Sequence, residues 1–130
     1  MRGAMHRVKG KIALITGGAS GIGKAAAILL AEEGAQIIVS DINVKSANET
    51  ANEIGNSAIA YEHDVTDEGS WKILLSKIKH KFGHINILVN CAGIAMIGNI
   101  EETSLEDWKK IHSVDLDSIF LGCKKALPIM

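Results

Sequence analysis

Cysteine is scarce: Cys91 and Cys123 are the only two in 130 residues. They are too few for a disulfide framework and belong to no Cys-x-x-Cys or other metal-ligand spacing, so a reducing, cytoplasmic setting is expected. A metal site is not expected either. His80 and His84 stand four apart, but Gly83 ends the helical pattern between them and Lys81 occupies the place where a zinc-binding helix needs Glu. The chain also lacks a basic block. At a formal net charge of −1 it has no cluster of Lys and Arg suited to a phosphodiester backbone, which excludes nucleic acid as a partner. The one local cluster, Lys77, Lys79 and Lys81, falls at a helix end, where cations complement the helix dipole. Long apolar runs are missing as well: none approaches the roughly 20 residues that span a bilayer. The stretch behind Arg2, His6, Arg7, Lys9 and Lys11 is too short for a signal-peptide core, so neither membrane insertion nor secretion is expected.

What is present is a globular composition, 47% hydrophobic and 22% charged, of a length that makes one domain. The chain is organised around Thr16-Gly17-Gly18-Ala19-Ser20-Gly21-Ile22-Gly23, set between the apolar run Ile12 to Ile15 and a helix-forming run from Lys24 to Glu33. A strand that turns through glycines into a helix leaves the first helical N–H groups unpaired and aimed at an anion. Gly17 permits the tight turn, Gly21 lacks the Cβ that would hold a diphosphate away, and Gly23 lets the helix pack closely. An ordinary small-residue turn is the plain alternative; the order strand, turn, helix favours a phosphate-bearing cofactor.

Strands and helices alternate from there. Lys11 to Thr16 reads as a buried parallel strand and Gly21 to Glu33 as a helix stopped at Gly34. A second strand, Gln36 to Ser40, ends at Asp41, and a helix carries Val44, Ala47, Ala51 and Ile54 on one face before Gly55. A third, less apolar strand over Ala58–Tyr61 suits a sheet edge and runs into His63-Asp64-Val65. Trp71, Leu74, Leu75, Ile78 and Phe82 form a core stripe closed by Gly83. Ile85 to Val89 is a fourth strand, leading to Asn90-Cys91-Ala92-Gly93. Thr103 and Glu106 form a capping box for helical sequence that continues to Met130.

This alternation predicts an α/β fold, a Rossmann-type doubly wound parallel sheet of order 3-2-1-4 built by right-handed crossovers. Ligands of such sheets bind beyond the carboxyl ends of the strands where the order reverses, and all the motif residues above fall on that edge. Asp41 lies where an acidic side chain accepts hydrogen bonds from an adenosine ribose. Its charge would repel a 2′-phosphate, with no compensating cation at Gly18, Ala19 or Ile42, so NAD is favoured over NADP.

Thr16-Gly17-x-x-x-Gly21-Ile22-Gly23, Asp64-Val65 and Asn90-Cys91-Ala92-Gly93, in this order, resemble the classical short-chain dehydrogenases/reductases, across Val8 to Met130. The resemblance implies hydride transfer between NAD and an alcohol or ketone. It implies a cofactor held by Gly17, Ser20, Gly21, Ile22, Gly23, Asp41, Ile42, Asp64, Val65, Asn90, Ala92, Gly93 and Val114. Cys91 stands where the family usually has Asn, which would weaken a local hydrogen bond. Asp115 stands at the position of a catalytic Asn that fixes a helix irregularity and a proton-relay water. It also implies a homo-oligomer through the helical segment 104–130, whose apolar residues cover more than one face.

The family's Ser and Tyr-x-x-x-Lys are absent: Tyr61 is the only tyrosine, and Val65 follows it at the fourth position. The expectation is therefore the cofactor-binding half of such an enzyme, residues 8–130, truncated before its later strands and not competent alone. Residues 1–7 are expected to be an extension or tag, with Met1 to Ala4 lacking structure of their own. Two alternatives stay open: a non-catalytic NAD-binding module or truncated pseudoenzyme, and a methyltransferase using adenosylmethionine on a similar sheet. Ile94 to Ile97 would either floor an apolar substrate pocket or pack against further chain.

Overall fold

A computed structural model of the chain describes Gly3 and residues 5–130. Of the expected N-terminal extension, Met1, Arg2 and Ala4 lie outside the described residues, whereas Met5 and Arg7 both donate main-chain N–H groups to the Glu33 carboxylate. These bonds and the Arg7 guanidinium hold that carboxyl below its usual range.

The elements alternate without exception as far as the fourth strand: β1 (Ile12–Thr16), α1 (Gly21–Glu32), β2 (Gln36–Asp41), α2 (Val44–Ile54), β3 (Ala58–Glu62), α3 (Glu68–Phe82) and β4 (Ile87–Asn90). All strand pairs are parallel, in the order β3-β2-β1-β4. This is the predicted doubly wound α/β sheet, and its order reverses between β1 and β4.

Side-chain alternation divides the core in two. On β1, Ala13 and Ile15 face α1 and α2 with Ile37, Val39, Ala27, Ala47 and Ala51, while Ile12 and Leu14 face α3 with Ile38, Trp71, Leu74 and Ile78. A strand covered on both faces cannot alternate polar and apolar, which is why all five residues of β1 are apolar or, at Thr16, internally hydrogen-bonded. Trp71 is fully buried and donates its indole N–H to the Val65 carbonyl at 2.9 Å, so the largest side chain of the core also fixes the turn after β3.

Two local readings are corrected. The fourth strand begins at Ile87, not Ile85, because the Ile85 N–H donates to the Ile129 carbonyl and the Asn86 side chain takes the Ile12 N–H at 2.9 Å. The N-cap of the next helix, α4 (Leu105–His112), is Ser104, which accepts the Asp107 N–H at 3.0 Å. Thr103 instead donates its hydroxyl to the Asn99 carbonyl at 2.7 Å. The helical run to the end is interrupted once, by a π-helical turn over Ser113–Asp117, before α5 (Ser118–Ala126) and a closing 3-10 turn, Leu127–Ile129.

Candidate functional site

The carboxyl ends of the strands open into a cleft of about 480 Å³ at the point where the sheet order reverses. Its floor is the glycine turn, and two glycines there are required by close approach. A Cβ on Gly17 would sit 2.7 Å from the Ala92 Cα, and one on Gly23 would collide with the Gly17 carbonyl oxygen. Gly21 is different in kind: its φ of +53° suits glycine, but a Cβ there would meet nothing within 4 Å. The missing side chain leaves open space above the start of α1.

Ser20 is the N-cap of α1 yet its side chain caps no amide, so its hydroxyl and the first N–H groups of the helix are free for a ligand. Thr16 anchors the other wall. Its buried hydroxyl accepts the N–H groups of Cys91 and Ala92, each at 3.1 Å, and thereby fixes the segment that leaves β4 against the end of β1. The expected weak bond at Cys91 does not involve that position's amide, which Thr16 satisfies; the Cys91 side chain lies against Gly23.

Asp41, at the end of β2, uses Oδ2 to accept the Ala19 N–H at 3.1 Å and Oδ1 to accept that of Asn43 at 3.0 Å. The carboxylate thus pins the glycine turn while itself lining the cleft. Asp64 Oδ1 accepts both the N–H and the hydroxyl of Thr66, and the Asp64 N–H donates to Ser70 Oγ. Of the positions singled out in the sequence, Gly17, Ser20, Gly21, Ile22, Gly23, Asp41, Ile42, Asp64, Val65, Ala92, Gly93 and Val114 all line this one cleft.

Asn90 and Asp115 do not line it. The Asn90 amide turns toward α5, where Nδ2 lies 3.9 Å from Cys123 Sγ and Oδ1 would be 2.9 Å from a Cβ on Gly122. Asp115 sits in the π-turn and accepts the Ile94 N–H through Oδ1 at 2.8 Å. An irregular helical turn is present at the position where the resemblance implied one, and the carboxylate holds it to the loop after β4.

Three lining residues escaped the sequence reading, His63, Thr66 and Lys110, whereas Ile94, the first residue of the expected apolar floor, does line the cleft. Lys110 precedes Val114 by one helical turn, so their shared face was legible from spacing alone. His63 carried no such signal. It is 2% exposed, its Nδ1 lies 3.0 Å from Ser40 Oγ, and its ring stands edge-to-face with Trp71 at 4.3 Å. Because the Ser40 hydroxyl donates to the Ile15 carbonyl, the network assigns the proton to Nδ1 and leaves Nε2 without a partner. Burial lowers the His63 pKa to about 4, with the Asp64 charge opposing that shift only in part. The imidazole is neutral at physiological pH.

The residues present fit a dinucleotide: an uncapped helix start, a glycine whose side-chain space is empty, a free serine hydroxyl and a carboxylate at the end of the neighbouring strand. The chain is 38% identical to a 3-beta-hydroxysteroid dehydrogenase of Comamonas testosteroni over 96% of its length, and 36% identical to an NADP-dependent (R)-specific alcohol dehydrogenase of Lentilactobacillus kefiri over 95%. A crystal structure of 3-ketoacyl-(acyl-carrier-protein) reductase from Brucella melitensis complexed with NADH superposes with a TM-score of 0.88 at 34% identity, covering 93% of this chain and 50% of that one. The chain spans about half the length of these curated relatives, 49% and 50% respectively. The short chain dehydrogenase family model matches residues 11–130, nearly every position from the start of β1 onward, and the chain belongs to that family.

Proposed function

We propose that this chain forms the NAD-binding portion of an oxidoreductase that interconverts an alcohol and a ketone or aldehyde. The observation that carries the reading is the single cleft at the sheet's reversal point, into which twelve of the thirteen residues nominated for cofactor binding converge. A nicotinamide dinucleotide supplies or accepts a hydride at C4 of its ring. The protein's part here is to hold and orient it. The first N–H groups of α1 and the Ser20 hydroxyl take the diphosphate, Asp41 takes the adenosine ribose hydroxyls, Asp64 and Val65 flank the adenine, and Ala92 and Gly93 face the nicotinamide-side ribose.

NAD is the preferred form on this reading. A 2′-phosphate would sit beside the Asp41 carboxylate, which is already fixed by two main-chain N–H groups and cannot swing away cheaply. Family relatives include one named NADP-dependent and one solved with NADH, so the discriminating element has to be local, and the end of β2 is where it lies.

The 130 residues hold no serine and Tyr-x-x-x-Lys set at the cleft. Tyr61 lies on edge strand β3 with Lys77 Nζ 5.5 Å from its ring, outside the cleft lining. The alternative expectation, a dinucleotide-binding module without catalysis, would use the same cleft and the same lining residues. On either reading the residues 8–130 act as one cofactor-binding unit, expected in the cytoplasm and paired with a second copy through α4 and α5.

The test is a titration of the chain with NADH and NADPH, read by calorimetry. NADH binds more tightly, and Asp41→Ala narrows the gap. Equal affinities would remove the basis for NAD preference, and failure to bind either nucleotide would overturn the dinucleotide reading itself.

A further inference from the structure

The charges around the cleft do not balance for an anionic ligand. Its walls carry two carboxylates, Asp41 and Asp64, and a histidine held neutral by burial. Lys24 belongs to the first turn of α1 but is turned away, its Nζ paired with Glu53 at 2.7 Å. A dinucleotide diphosphate brings about two negative charges, and a helix N-terminus offers the equivalent of roughly half a positive one. Lys110 is the remaining cation of the lining, and among the described residues it takes part in no ion pair. It stands on α4 one helical turn before Val114, which lines the same cleft. Its neighbour Lys109 does not line the cleft, because a step of one residue on a helix rotates the side chain by about 100°.

We propose that Lys110 is a binding residue of the cleft, its ammonium offsetting the diphosphate charge of a bound dinucleotide. This inference rests on the dinucleotide reading above. A long, exposed and unpaired lysine at the rim can follow a ligand as it enters, so its contribution is electrostatic and screened by salt.

The experiment measures dissociation constants of NADH, NADPH and adenosine for the unaltered chain, Lys110→Gln, Lys110→Arg and Lys109→Gln, at low and high ionic strength. Lys110→Gln is expected to weaken NADH by about three- to tenfold at low salt, and the loss to shrink at high salt, as for a partly exposed charge pair. Lys110→Arg and Lys109→Gln keep NADH affinity, and adenosine, which has no phosphate, binds all four alike. If the unaltered chain binds NADH and Lys110→Gln binds it equally well, the role of Lys110 is overturned and the dinucleotide reading stands. A larger loss for NADPH than for NADH would assign the ammonium to a 2′-phosphate and overturn the diphosphate assignment. If the unaltered chain binds neither nucleotide, both readings fall together.

Discussion

The Asp115 carboxylate accepts the Ile94 N–H at 2.8 Å and so ties the π-helical turn between α4 and α5 to the loop that leaves β4. The same Oδ1 lies 3.3 Å from the place a Cβ on Gly93 would take, so the carboxylate, Gly93 and Ile94 form one packed junction at the edge of the cleft. An asparagine would offer the same acceptor and change only the other terminal atom.

Asp115→Asn is therefore expected to leave stability within about 0.5 kcal/mol, whereas Asp115→Ala, which strands the Ile94 amide, costs about 1–2 kcal/mol. Urea unfolding of the three chains checks this. Equal losses for both variants would mean that the charge, not the hydrogen bond, holds the junction.

The glycines of the turn separate folding from binding. At Gly21 a methyl group has room but φ is +53°, so Gly21→Ala costs about 1–2 kcal/mol through left-handed strain alone. The same methyl stands between a diphosphate and the first amides of α1, and NADH affinity is expected to fall by more than about tenfold. Gly23→Ala drives its methyl into the Gly17 carbonyl and costs about 3 kcal/mol of stability. A Gly21→Ala chain that melts near the parent and binds NADH unchanged would show that the cleft above this residue is not where the nucleotide sits.

His63 gives the protein an acid limb. Its pKa is about 4 when folded against an ordinary 6.5, so between those values the unfolded chain takes up a proton that the folded chain refuses. Stability is therefore intact above pH 6.5 and falls as pH drops toward 4, by about 1.4 kcal/mol per pH unit at most and about 3 kcal/mol in all. His63→Phe keeps a ring against Trp71 and removes the titration, so the melting temperature from pH 6.5 to 4 is expected to slope less than in the parent. Parallel slopes in the two chains would assign the acid limb to other groups.

The sheet was legible because a parallel strand buried on both faces is a short apolar run, and β1 and β2 are such runs bounded by glycine and Asp41. The glycine turn was legible because Gly17 and Gly23 serve close approach and Gly21 a positive φ, which leaves the residue type little choice. The cap at Ser104 was not, since Thr103 with Glu106 and Ser104 with Asp107 present the same spacing in adjacent registers; the Asn99 carbonyl, which takes the Thr103 hydroxyl, settles the choice. His63 was invisible for a similar reason. Its position follows from the Ser40 hydroxyl on the neighbouring strand and from the Trp71 face on α3, neither of which leaves a mark in local sequence. The inward turn of Asn90 toward Cys123 likewise depends on how closely Gly122 allows α5 to approach β4.

The last helical segment carries the prediction of assembly. Ala126 and Gly122 are buried against the sheet side, yet Leu116, Ile119, Phe120 and Leu127 stay between 42% and 70% exposed, on faces turned away from the core. Trp108 and Leu105 on α4 are likewise exposed, at 53% and 66%. Surfaces of this kind are seldom left to water, and a second copy offers an identical patch that can be matched about a two-fold axis. The chain is therefore expected to sediment as a dimer or larger at micromolar concentration. The pair Ile119→Glu with Phe120→Glu, both at exposed positions, should shift it to monomer while leaving its far-ultraviolet circular dichroism unchanged. A parent chain that sediments as a cooperatively melting monomer would show that water, and not another copy, is the proper neighbour of this face.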